Sequence, residues 1–193
     1  DLYSYNEKHN ESNGWDNTDG SNDNHSWNCG TEGETKNEAV NALRRRMIRN
    51  ACAVLMCSRG IPMFLAGDEF GNTQFGNNNP YCHDDEGSWL DWSLLDKNWD
   101  IFRFFQFMIH FRKEHPVLRS NISDGFGGLP DISFHGTSPW IKEFSSYDRY
   151  IGVMMAGQIE GKAPEAVYIA SNAYWEQLDV VLPELPESMA WSL

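Results

Sequence analysis

The sequence predicts an α/β region followed by an all-β region, and three observations indicate this order. Residues 39–59 have helical apolar spacing and lead into the continuous apolar run 61–66, which is typical of a strand buried on both faces. Residues 101–114 predict a second helix. Beyond Leu118, glycine and proline become frequent, and three segments have strand character: 150–158, 166–174 and 178–185.

The two predicted helices have recognisable faces and ends. Thr35 and Glu38 have the spacing of a capping box for the first helix, and Gly60 followed by Pro62 ends it. Asp100 is the expected N-cap of the second helix, and Pro116 stops it. The expected apolar face of the first helix comprises Leu43, Met47, Ala51, Val54 and Leu55, and that of the second comprises Ile101, Phe104, Phe105, Met108 and Phe111.

Residues 1–38 are rich in asparagine, glycine and aspartate, and they show neither helical nor alternating periodicity. Tyr3, Tyr5, Trp15 and Trp27 are spread through them. Disordered segments are poor in aromatic residues, so we expect an ordered loop that buries these rings.

Composition excludes several partners. Among the 193 residues, 15 are basic and 28 acidic, which gives a formal net charge of −13. A nucleic acid or an anionic membrane needs a basic surface, so neither is expected as a partner. The four cysteines have no C-x-x-C spacing, which favours reduced thiols and a cytoplasmic location.

Candidate binding residues lie at the predicted strand end and in the loop after it. Asp68 and Glu69 follow the apolar run, where strands of parallel barrels carry site residues, although both could instead cap the next turn. The loop 71–91 combines amides, carboxylates and aromatic rings, a set suited to a neutral polyol; asparagine and glycine are also ordinary turn residues. Trp89 and Trp92 are expected in the core rather than against a sugar.

Other chemistries find little support. The run from His83 to Glu86 is badly spaced for one metal ion, and residues 15–26 fail the EF-hand pattern at both ends. The sequence contains neither G-x-S-x-G nor a Walker loop. We therefore expect no metal and no cofactor.

Several long strings together resemble one family. "SYNEKHNESNG" (4–14), "DGSNDNHSWNCGTEGET" (19–35), "GDEFGNTQFGNNNPYCHDDE" (67–86) and "FFQFMIHFRKEHPVLR" (104–119) resemble the glycogen debranching enzyme and isoamylase branch of the α-amylase superfamily. The resemblance implies that residues 1–119 are the C-terminal part of a (β/α)8 TIM barrel with 61–66 as its last strand. It implies that 120–193 are a partial antiparallel β-sandwich domain.

The resemblance also implies hydrolysis of α-1,6 branch linkages in glycogen or amylopectin-like α-glucans. Retaining glycosidases use two carboxylates about 5–5.5 Å apart, which in this family lie upstream of Asp1, so we expect this fragment to be inactive alone. No catalytic residue is therefore assigned. The substrate-binding candidates are Trp27, Asn28, Asp68, Glu69, Asn78, Asn79, Tyr81 and Asp84. His83 and Asp85 depart from the family's "YCQDNE", where both positions carry amides.

Two other interpretations stay open. The chain could be a non-catalytic α-glucan-binding module, because the same amides and rings would serve one. It could also fold without binding anything, in which case the exposed edges of half a barrel predict self-association.

Overall fold

The computed structural model describes residues 1–119, 124–141 and 144–193. These residues form two compact units: Asp1–Met56 with Pro62–His110, and Cys57–Ile61 with Phe111–Leu193. The division between residues 119 and 120 rests on a change of sequence pattern and stays a prediction.

The first helix, α1, spans Glu38–Cys57, close to the predicted 39–59. Its N-cap is Asn37 rather than Thr35: the Asn37 side-chain oxygen accepts the Ala39 N–H at 3.0 Å. Thr35 instead accepts the N–H of Asn37 at 3.2 Å, so the predicted capping box is wrong. An asparagine directly before the helix reaches the free N–H groups of the first turn.

The buried side of α1 also differs from the prediction. Arg44, Cys52 and Met56 are its most buried side chains in the first unit, at four-residue and eight-residue intervals. Val54, expected on the apolar face, is 57% exposed. The apolar pattern missed this side because one of its members is an arginine.

The segment 61–66 is not a strand, which contradicts the prediction. It lies outside the described three-stranded sheet, and Ile61, Met63 and Leu65 are 97%, 87% and 58% exposed. A strand needs hydrogen-bonding neighbours, and among the described residues none pairs with this segment.

Two helices follow, α2 at Leu94–Lys97 and α3 at Trp99–Glu114. Asp100 lies inside the first turn of α3 rather than at its N-cap, and its carboxylate forms ion pairs with Arg45 and Arg49 of α1. Three of the five residues predicted on the buried face of α3 are at most 6% exposed, namely Ile101, Phe105 and Met108, and Phe104 and Phe111 are half-buried. The helix ends two residues before Pro116, as expected.

The second unit contains an antiparallel sheet in the order β1-β2-β3. Its strands are β1 (Ile132–His135), β2 (Tyr150–Gly157) and β3 (Glu165–Asn172), with Phe134 opposite Val153 and Met155 opposite Val167. Its core cluster comprises Leu129, Met154, Ala156, Ala166, Tyr168, Leu185 and Trp191. The predictions for β2 and β3 are confirmed.

Two predictions in this region are wrong. The segment 178–185 is irregular, although Leu185 packs on the core and the Val181 N–H donates to the Thr137 carbonyl at 2.9 Å. Strand β1 was missed because glycine and proline surround it, which indicated turns.

The side chains of Cys29, Cys52 and Cys57 are buried and that of Cys82 is exposed, and these four residues form no disulfide. Over the described ranges, no helix combines the length and the apolar character that a membrane crossing requires.

Candidate functional site

The first 37 residues form an irregular loop with a single short 3-10 turn at Glu11–Asn13. The predicted burial of the four rings of this loop is wrong for Trp15 and Trp27, which are 63% and 46% exposed, whereas Tyr3 and Tyr5 are half-buried. Of its buried members two are polar, with Asn10 fully buried and Lys8 nearly so, and Cys29 is also buried. Hydrogen bonds therefore hold this loop where apolar packing was expected.

Arg44 of α1 holds the loop by hydrogen bonds to its backbone carbonyls. Its guanidinium donates to the backbone carbonyls of Gly33 at 2.8 Å, Asn28 at 3.0 Å and Ser4 at 3.5 Å, and also to that of Thr31. Arginine suits this position because its planar fork presents five N–H groups in fixed directions. One side chain thereby fixes carbonyls that are up to 29 residues apart in the loop.

Glu32 fastens the loop through its N–H groups. Its carboxylate accepts the Asn6 N–H at 2.8 Å, the Glu7 N–H at 3.1 Å and the Asn28 side-chain amide at 2.9 Å, and lies 3.0 Å from His9 Nε2. Burial raises the pKa of Glu32, but these hydrogen bonds outweigh it and lower the pKa to about 2.

A network of amide side chains joins this loop to residues 77–83. The Asn10 side-chain amide donates to Asn78 Oδ1 at 2.8 Å, and the Asn78 N–H returns a bond to Asn10 Oδ1 at 3.0 Å. The Asp19 Oδ2 atom accepts the amides of Asn13 at 2.7 Å and Asn79 at 2.8 Å, and these bonds lower the pKa of Asp19. The asparagines of the "GNNN" string therefore connect residues 77–83 to the first loop by hydrogen bonds.

His83 completes the network at its far end. Its Nε2 lies 2.7 Å from Asn13 Oδ1, and its Nδ1 lies 3.1 Å from Asp85 Oδ2. The Gly87 N–H and then His83 lower the pKa of Asp85. The two residues that depart from the family pattern are therefore partners of each other.

Asp68 and Glu69 lie in a tight 3-10 turn, Asp68–Phe70, directly after the apolar segment. Gly67 before it has φ +99°, and a Cβ there would come within 2.6 Å of the Asn72 side chain, so glycine is required. Asp68 accepts the Leu65 N–H at 3.1 Å, and Glu69 accepts the Gly67 N–H at 2.9 Å. Burial raises the pKa of Asp68, and the Leu65 bond opposes it.

A cavity of about 340 Å³ opens between the first loop and the segment 65–78, all within the first unit. Of the predicted site residues, Asp68 and Asn78 line it. Residues that sequence reasoning missed include Tyr5, Glu7, His25 and Gln74. Carboxylates, amides and a phenol around one cavity can hydrogen-bond a ligand rich in hydroxyl groups. We call this cavity the candidate site.

The remaining predicted residues lie outside the lining. Asn28 uses both ends of its amide internally, donating to Glu32 and accepting the Gly30 N–H at 2.8 Å. Asp84 accepts the Trp89 indole N–H at 3.0 Å, and Tyr81 is 77% exposed. Asn79 and Glu69 make the bonds given above, and Trp27 is half exposed. Their contact with substrate stays a prediction.

Trp89 and Trp92 were expected in the core, and the structure contradicts this. They are 58% and 62% exposed. Trp92 rests on Phe70 with ring centroids 4.9 Å apart, whereas the Trp89 indole is held at its edge by Asp84.

Across residues 1–119, 124–141 and 144–193, no three His, Cys, Asp or Glu side chains converge as metal ligands. The His83–Glu86 run instead directs its side chains to separate partners, with Asp85 to His83 and Asp84 to Trp89.

Comparison with known proteins finds relatives of this chain by sequence. The chain is 46% identical over 185 residues to a glycogen debranching enzyme of Erwinia tasmaniensis, which covers 95% of the chain and 27% of that protein. It is 40% identical over 186 residues to the chloroplastic isoamylase 1 of Oryza sativa subsp. japonica, covering 96% and 22%. The chain is homologous to part of the glycogen debranching enzymes and isoamylases. It spans about a quarter of the length of these relatives.

A solved structure is similar to this chain in fold. A pullulanase of Paenibacillus barengoltzii, crystallised as a mutant with maltotetraose, matches with a TM-score of 0.59 at 24% identity. The match covers 82% of this chain and 22% of that one. No family model matches the chain.

Proposed function

We propose that the chain is part of an enzyme that hydrolyses α-1,6 branch linkages in glycogen or amylopectin-like α-glucans. The observation that carries the proposal is the 46% identity to a glycogen debranching enzyme along nearly the whole chain. The sequence strings that carry the family resemblance contain residues whose hydrogen bonds order the first loop. These include Glu32 and Asn10, and also Asn78, which is hydrogen-bonded to Asn10. The resemblance in sequence therefore includes residues that order the first loop beside the candidate site, which supports the proposal.

Within this enzyme, residues 1–119 contribute the last strand position, its flanking helices and one wall of the glucan groove in a (β/α)8 barrel. Two features support this assignment: the exposed apolar segment 61–66, which has strand composition, and the polar cavity that begins directly after it. The β-rich residues 120–193 form the domain that follows the barrel.

The chain alone does not cleave glucan. Glycoside hydrolysis needs a nucleophile and an acid/base carboxylate about 5–5.5 Å apart. In the candidate site, the Asp68 carboxylate accepts the backbone N–H of Leu65, three residues earlier, which suits a structural carboxylate. We assign the catalytic carboxylates to other parts of the parent enzyme, and expect the parent to be cytoplasmic.

A segment exchange tests the proposal. The chain replaces its matching segment in the Erwinia tasmaniensis glycogen debranching enzyme, and release of reducing ends from a β-limit dextrin is measured. The chimera is expected to debranch, while the isolated chain and the enzyme lacking the segment do not. A folded chimera with no activity on branched glucan, or release by the isolated chain, contradicts it.

The second candidate, a non-catalytic α-glucan-binding module, draws on the same polar cavity. It is distinguished by saturable binding of maltooligosaccharides together with a chimera that binds but does not debranch.

A further inference from the structure

A second cavity in the first unit is larger than the candidate site and has a more aromatic lining. It measures about 760 Å³, against about 340 Å³ for the candidate site. Tyr5, Phe75 and Trp89 all line it. Cavities of a few hundred Å³ lined by rings and a few polar groups are the usual form of small-molecule sites. We call this cavity the aromatic groove.

Phe75 has an unusual backbone for its side chain. Its φ is +56°, in the left-handed region that costs a bulky residue about 1–2 kcal/mol. Its N–H donates to Thr73 Oγ1 at 2.9 Å, and that hydroxyl donates to the Asp1 carboxylate, so the turn is fixed. The strained backbone does not bring the ring into the core, because the Phe75 side chain remains 52% exposed. Strain without burial is a mark of functional sites.

Trp89 is held in place and yet exposed. Its indole N–H donates to Asp84, its backbone N–H donates to the Asp85 carbonyl at 2.9 Å, and its own carbonyl accepts the Asn72 amide at 3.4 Å. The residue is nevertheless 58% exposed. A fixed ring with a free face loses little conformational entropy when a ligand covers it.

The polar lining indicates a neutral ligand. Three basic side chains line the groove and are balanced by three acidic ones, so it offers no single sign of charge to a phosphate or a polycation; they are Arg44, Arg45 and Lys97 against Glu34, Glu86 and Asp91. The Arg45 guanidinium is already engaged by Asp100 and by Asn98 at 2.9 Å. Thr35 and Asn41 add neutral hydrogen-bonding groups.

We propose that the aromatic groove binds a linear α-1,4-linked glucan segment, with Phe75 and Trp89 covering the apolar faces of the sugar rings. The choice of an α-glucan rests on the proposed function. Tyr5 and Asn72 line both the groove and the candidate site, so the two cavities adjoin. A branched glucan has two chain segments near each branch, and the groove holds one of them outside the candidate site.

The test measures maltoheptaose binding to the full chain by isothermal titration calorimetry, with cellohexaose as the linkage control. Phe75→Gly is the most informative variant. Glycine accepts the left-handed backbone, so this variant removes the ring without adding strain to the turn. We expect its Kd to rise about tenfold, the loss of one aromatic anchor.

Trp89→Ala is expected to weaken binding to a similar extent, whereas Trp89→Phe keeps a flat ring and most of the affinity. The matched control is Trp15→Ala, since Trp15 is 63% exposed and lies outside the lining of both cavities. Gln74→Ala alters the candidate site alone.

Weaker binding in Phe75→Gly and Trp89→Ala, with Trp15→Ala unchanged, supports the groove. The inference is overturned if maltoheptaose does not bind, or if only Gln74→Ala weakens it. The segment exchange tests the proposed function separately, because debranching by the chimera does not depend on the affinity of the groove.

Discussion

The loop 1–37 and the segment 61–66 both lack regular secondary structure, yet they contrast in every other respect. The loop is polar, and many of its backbone and side-chain groups find partners within the first unit, through Arg44, Glu32 and the amide network. The segment is apolar, and Ile61 and Met63 are almost fully exposed. Hydrogen bonds to specific side chains can satisfy a loop locally, whereas an apolar strand needs a surface to cover it.

The largest effect is expected from breaking the loop at Arg44. Arg44→Met keeps much of the aliphatic stem and removes the donors to four partly buried carbonyls. We expect a loss of about 3 kcal/mol in the free energy of unfolding, measured by urea denaturation. Arg46→Met is the matched control, because Arg46 is exposed on the same helix. Equal midpoints for the two variants would show that the loop is not held by this side chain.

The next effect concerns Asn10, which is fully buried. Asn10→Ala leaves Asn78 and the Asp19 carbonyl without their partner, and we expect a loss of about 2 kcal/mol. Asn22→Ala, at an exposed position of the same loop, is expected to unfold like the native chain. A native-like midpoint for Asn10→Ala would mean that water replaces these bonds freely.

A smaller effect on the stability of the loop is expected from Glu32, and this effect depends on pH. The pKa of Glu32 falls from its ordinary 4.5 to about 2 in the folded chain, so Glu32 stabilises the fold above pH 4.5 and this contribution is lost as the pH falls towards 2. Glu32→Gln is expected to melt lower than the native chain at pH 7, with the difference closing at acidic pH. Glu34→Gln, two residues away and exposed, is the control. A difference that does not vary with pH contradicts the assignment.

The smallest effect on stability is expected in the apolar segment. Met63→Lys replaces an 87% exposed side chain and is expected to change the free energy of unfolding by less than about 0.5 kcal/mol. The same change is expected to reduce self-association, measured by light scattering over a range of concentrations, because a charge interrupts the exposed apolar surface. Tyr147→Lys, also highly exposed but in the second unit, should leave association unchanged. A native chain that is monomeric throughout removes the basis of this prediction.

The helices were predictable because their signals are local. The apolar spacing of α3, the stop at Pro116 and the strand character of β2 and β3 all appear in the structure. Composition alone could not show that segment 61–66 lacks a pairing partner, because pairing depends on residues distant in sequence. Nor could it show that Arg44, which interrupts the apolar pattern of α1, is the residue that orders the loop.

The sequence predicted the chemistry of the candidate site better than it predicted which residues line the cavity. The loop 71–91 suggested a polyol, but its asparagines mostly bind one another and the first loop, as Asn78 and Asn79 show. Trp89 was assigned to the core because tryptophan is usually buried. In the structure its side chain is held by one hydrogen bond from the indole N–H to Asp84. The strained backbone of Phe75 leaves no trace in the sequence beyond the glycine that follows it.

Asn13 has a further consequence, for the chemical lifetime of the protein. It precedes Gly14, and an asparagine before glycine is the pair most prone to deamidation, in which the glycine nitrogen attacks the side-chain amide. Here the amide is turned towards Asp19 and the Asn79 carbonyl, and the Gly14 N–H is bonded to the Glu11 carbonyl. A deamidated Asn13 would place a second carboxylate where the amide now lies 2.7 Å from that of Asp19. The hydrogen-bond network beside the candidate site therefore also protects Asn13 from deamidation. A chain whose loop has opened is expected to deamidate there, and the loop then closes less readily because two carboxylates repel each other.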